Sequence, residues 1–185
     1  MVGITALWLP ILLSAVIVFV ASSVIHMVLG YHKSDVKKVP NEEAARSGLR
    51  GADIPPGDYV IPHAPGMKEM GSPEMVQKYQ EGPVLLMTVW PNRVPAMGKS
   101  LGMWFAYLLI VGVLVAYIAG RSLTGPQEYM TVFRFTSVVA FLAYAGAEAH
   151  NSIWWARSWS TTAKNMFDGL VYGLLTGGTF AGFWP

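Results

Sequence analysis

Four ionisable side chains lie inside, or close to the ends of, long apolar stretches: His26, Glu148, His150 and Asp168. Such groups are costly at membrane depth, so they face protein or water and often mark sites of work. Carboxylate oxygen and imidazole nitrogen together suit Zn, Mn or Fe, and His26, Glu148 and Asp168 would make such a set. No spaced motif such as H-E-x-x-H stands behind it. Alternatively Glu148 or Asp168 carries a proton, burial opposing its ionisation. The structural alternative is interfacial, with Asp168 in the first turn of its helix favouring the positive end of the dipole. Glu148 and His150 would then lie among the lipid headgroups. These two residues are also about 200° apart on a helix, so an unbroken one cannot aim both at one spot. The four residues stand as candidates for a catalytic or transport site, with no metal or other cofactor expected.

A second group, His26, His32, Asp35 and His63, could be drawn into a metal cluster beyond the first apolar stretch. The surrounding run is rich in lysine, however, and reads as a solvated turn beside the membrane. There Lys33, Lys37 and Lys38 would meet anionic headgroups, each contributing about 1 kcal/mol. Trp154, Trp155 and Trp159 with Arg157 form an aromatic and basic belt, and Arg134 reads as snorkelling or pairing with Glu128.

Several chemistries are excluded. With no cysteine there are no disulfides, thiolate metal sites or iron–sulfur clusters. Nor is there a phosphate-binding loop, a dinucleotide fingerprint or a nucleophile elbow. The histidine ladder of a membrane haem protein is absent, and the net charge of +2 with no basic-aromatic run excludes nucleic acid.

The elements that must position these residues are apolar and long. The chain is 53% hydrophobic and 13% charged, where soluble domains average about 25% charged. Residues 7–29 carry no Asp, Glu, Lys or Arg and exceed the roughly 20 residues that cross a bilayer. They read as an uncleaved anchor, because no positive charge precedes them and no small-residue cleavage site follows. Further spans are expected over about 101–120, 130–153 and 165–184. The expectation is therefore an all-α bundle of four transmembrane helices, divided into 1–30, 31–100 and 101–185.

Residues 31–100 read as a small, irregular α+β cap. Asn41 caps a short helix closing near Gly48 or Gly51, and Ser72-Pro73-Glu74 opens a second reaching about Gln80. Asp58–Ile61 and Val84–Trp90 read as strands. Of the 13 Lys and Arg, all but Arg121 and Arg134 fall in 31–100 or 151–164. The positive-inside rule then puts both segments in the cytoplasm and both termini outside, as in a multi-pass protein of a bacterial inner membrane. Four spans with a cytoplasmic first loop are similar to the glutathione-using membrane enzymes of eicosanoid metabolism. Their charged second-helix motif is missing here, so the similarity stops at the span count.

Small residues recur every four positions in the last span, at Gly169, Gly173, Gly177 and Ala181, with counterparts in Gly112 and Ala116. Such stripes let backbones approach closely, within the bundle or between copies. The sequence thus points first to a non-catalytic accessory or scaffold subunit, whose partners are the bilayer and either its own copies or other membrane subunits. The alternative is a small oligomeric transporter or membrane enzyme built on Glu148, Asp168 and His26.

Overall fold

The computed structural model describes residues 1–185 and is mostly helical. In chain order the elements begin with α1 (Trp8–Val24), α2 (Glu42–Gly51), β1 (Gly57–Ile61), α3 (Met67–Met70), α4 (Pro73–Glu81) and β2 (Leu85–Val89). They continue with α5 (Met97–Ser122), α6 (Tyr129–Ala145), α7 (Glu148–Trp155) and α8 (Trp159–Gly182). The chain divides into two compact units, Met1–Val36 with Ala96–Pro185, and Lys37–Pro95.

The first unit contains the long helices. α1 follows a 3-10 turn and continues as a π-helical turn, Ile25–Leu29. Three stretches are long and apolar enough to cross a membrane: Ile4–Leu29, Met97–Ser122 and Tyr129–Trp155. The sidedness of α1 shows why lipid suits this chain. Its exposed residues include Leu12, Val16, Val20 and Val24, whereas its buried face carries Ser14 and Ser22 beside Ile11, Ala15 and Val18. A soluble helix has the reverse arrangement. Apolar outside and hydroxyls inside is a membrane pattern.

α8 packs along α6 and across α1, and α1 also packs on α5. The glycines permit the closest of these contacts. A Cβ on Gly169 would overlap Ala145, and one on Gly173 would lie 3.0 Å from the Ser137 carbonyl oxygen. On the opposite pair, a Cβ on Gly112 would lie 3.2 Å from the Ile11 side chain. The core that results runs through Leu7, Val115, Val132 and Phe180, all 0% exposed.

Two elements differ from the sequence reading. The third apolar stretch breaks after Ala145, where Gly146 and Ala147 interrupt the helix before Glu148 restarts it. α8 begins at Trp159 rather than near 165, because Thr161 and Thr162 are buried at the corner it makes with α7. Ser152 and Thr162 share a hydroxyl bond of 2.6 Å there.

In the second unit, α2 is capped by the Asn41 side chain accepting from the Ala44 amide at 3.1 Å. Ser72 caps α4 in the same way, accepting from the Met75 amide at 3.2 Å. β2 pairs antiparallel with β1 in the register Tyr59 to Met87 and Ile61 to Leu85. Met75 is the buried apolar residue of this unit, a small core as expected for so short a segment.

Candidate functional site

The polar centre of the first unit is assembled by the end of α1, the turn after it and the first half of α8. The π turn Ile25–Leu29 ends at Gly30, whose φ of 67° is left-handed. Glycine adopts that conformation without the steric cost a Cβ brings. The reversal folds Tyr31–Ser34 into a 3-10 turn.

Asp168 is 3% exposed, at about the third turn of α8. It is not in the first turn, so the helix dipole is not what holds it. One carboxylate oxygen accepts the Tyr31 hydroxyl, and the other lies 2.8 Å from His32 Nε2. The second nitrogen of His32, Nδ1, lies 2.6 Å from Asp35. Each ring nitrogen of His32 thus faces a carboxylate oxygen. Lys164, one turn before Asp168, donates to Asp35 at 2.6 Å, to the Tyr31 carbonyl at 2.7 Å and to Ser34 Oγ at 2.8 Å. All three ammonium protons are thereby placed.

The turn is therefore not the solvated one that its lysines suggest: the His32 and Asp35 side chains are only 14% and 13% exposed. The hydrogen bond from Lys164 outweighs partial burial and holds the Asp35 carboxyl below its usual range. Burial and then the bond to Asp168 push the Tyr31 hydroxyl up, so it remains a donor.

His26 completes the group. Its Nδ1 lies 3.0 Å from the Ser22 carbonyl, and its ring stacks on His32 with centroids 4.5 Å apart. Trp104 of α5 donates to Ser22 Oγ at 2.9 Å, so this part of α1 is fixed from a neighbouring helix. One ligand atom from each of His26, His32 and Asp168 lies within 4.8 Å of the other two.

Of the residues singled out in the sequence, His26 and Asp168 come together. Glu148 does not join them. It accepts from Asn165 Nδ2 at 3.0 Å, and His150 is exposed. The oxygen–nitrogen set of His26, Glu148 and Asp168 is thus replaced by one in which His32 takes the place of Glu148. A glutamine at that position would still offer an amide oxygen to Asn165, so Glu148→Gln should shift stability by no more than about 0.5 kcal/mol in thermal unfolding. His63 is exposed in the other unit, and Arg134 makes no ion pair with Glu128.

Tyr31 and Lys164 were not legible as site residues, and the lysine-rich run around His32 and Asp35 made that pair read as solvated. One signal pointed to the group. His32 and Asp35 are three apart and Lys164 and Asp168 four apart, spacings that put each pair on one helical face.

Farther along α8, Tyr172 and Thr176 follow Asp168 at four-residue steps. Their hydroxyls are buried without hydrogen-bond partners, as is Ser137 Oγ on α6. Tyr172 packs edge-on against Tyr144, ring centroids 5.8 Å apart.

These features define a helical protein with three apolar helices suited to a membrane and a compact polar centre at one end of its helix bundle. Comparison with protein-family models, curated proteins and solved structures found no match to this chain.

Proposed function

We propose that this chain is a four-span membrane protein acting through the Asp168 centre, as a small membrane enzyme at the membrane–water boundary rather than as a scaffold. The observation that carries this reading is Asp168 itself, an almost fully buried carboxylate tied to Tyr31 and His32. A purely structural tie between the turn and α8 is made as well by apolar packing. Buried ionic groups cost desolvation that their attraction often fails to repay. Intramembrane ionisable residues are, by default, functional. Gly169, Gly173 and Gly177 pack against α6 within the chain.

α8 supports a fourth span by its length, about 36 Å for 24 residues, and by its exposed Phe167, Leu170 and Leu174. The distribution of lysine and arginine favours a cytoplasmic face for the centre and for residues 31–100. The bilayer is the first partner. A specific observation favours a second reading, proton or ion transport: the hydroxyls of Tyr172, Thr176 and Ser137 lead inward from Asp168.

The test is growth of cells deleted for the native copy under varied metal supply and pH. Asp168→Asn is expected to leave the deletion phenotype in place at normal membrane levels of the protein. Full restoration by that variant rejects the reading.

A further inference from the structure

We propose that His26, His32 and Asp168 hold one divalent first-row transition ion, in a two-histidine, one-carboxylate site with solvent in the remaining coordination position. This rests on the reading of the Asp168 centre as a working site and gives that site its chemistry.

The first observation is reach. The three ligand atoms lie within 4.8 Å of one another, and His32 Nε2 and Asp168 Oδ2 are already at 2.8 Å. Ligands about 2.0–2.2 Å from one ion sit roughly 3–3.5 Å apart. Shifts on the order of an ångström therefore suffice.

The second is orientation. A metal-bound imidazole characteristically donates its other N–H to a carboxylate or a backbone carbonyl, which fixes the tautomer and turns the free nitrogen to the ion. Both histidines are held this way. His26 Nδ1 faces the Ser22 carbonyl at 3.0 Å, and His32 Nδ1 faces Asp35 at 2.6 Å. Each ring is left with Nε2 for a ligand. Asp35 is anchored by Lys164, and Asp168 is oriented by Tyr31 through the oxygen that His32 does not use. An ion between His32 Nε2 and Asp168 Oδ2 leaves the Asp35 and Tyr31 bonds in place.

The third is access. Exposure falls from His26 through His32 to buried Asp168, so the set is open on the His26 side. An open position of this kind distinguishes working sites from closed structural ones. Two imidazoles with one carboxylate suit Zn, Fe or Mn and not the oxygen-rich coordination of calcium or magnesium. The rings of His26 and His32 stack 4° from parallel, so one ion cannot lie in both planes. His26, the exposed partner, must tilt on binding.

The full chain, purified in detergent and treated with a chelator, is titrated with Co2+ and then Zn2+. One Co2+ per chain is expected, with the visible absorption of a four-coordinate ion, displaced by Zn2+. His26→Ala, which removes an exposed ring and spares the buried network, should weaken Co2+ binding at least about 100-fold. Asp35→Asn, acting through His32, should weaken it about 10–100-fold and keep the spectrum. His63→Ala should change nothing. No saturable Co2+ uptake by the folded chain, or uptake indifferent to His26→Ala and Asp168→Asn, overturns the proposal. If Asp168→Asn fails to support growth and the native chain takes up no Co2+, the metal site is rejected and the working centre stands. If Co2+ binds as described and Asp168→Asn supports growth, the metal site stands and the proposed function is rejected.

Discussion

Asp168→Ala is expected to destabilise the chain by about 2–5 kcal/mol, because two donors each lose their acceptor at about 1–3 kcal/mol. The cost arises from what is left behind. The Tyr31 hydroxyl and His32 Nε2 would remain partly buried with no acceptor. Thermal unfolding of the purified protein, followed by circular dichroism, measures the effect. The triple change Tyr31→Phe, His32→Phe and Asp168→Leu removes these donors and their acceptor together and should recover part of the loss, since only Asp35, still held by Lys164, then lacks a partner. It should still fail to support growth. A stable Asp168→Ala variant would mean that the carboxylate is solvated and that no such centre exists.

Gly177→Leu should be nearly as damaging, at about 3 kcal/mol or more, through overpacking of a contact with no slack. Even a Cβ at Gly177 overlaps Ser137 Oγ and lies 2.9 Å from the Phe133 carbonyl oxygen. Backbone cannot yield as a flexible side chain can, so α6 and α8 must separate. Gly182→Ala is the control. Nothing lies within 4 Å of its Cβ, and that variant should unfold like the native chain. Folded-protein yield and unfolding temperature in detergent report both.

The apolar helices were legible because the cost of placing charge in hydrocarbon is read directly as an uninterrupted run, as in residues 7–29. The second strand was legible from local chemistry: prolines bracket Val84–Trp90, and β2 falls between them. The start of α8 was not, since Ser160, Thr161 and Thr162 resemble a cap locally, and only the corner with Ser152 makes them interior. His26 and Asp168 stood out by depth alone. Their partners did not, because His32 and Asp168 are separated by 136 positions and the turn's lysines mask its burial. Glu148 was selected by the same criterion of depth, which carries no information about rotation around the helix.

The close approach of α6 and α8 limits what any larger assembly can be. With Gly169, Gly173 and Gly177 turned inward, the middle of α8 offers a neighbour Phe167, Leu170 and Leu174. Bulky side chains there hold a second helix at ordinary axial separations, about 8–10 Å, and forbid the tight crossing that glycine alone allows. Copies meeting along this wall would compete with acyl chains of similar chemistry. Their association would be reversible and sensitive to lipid composition.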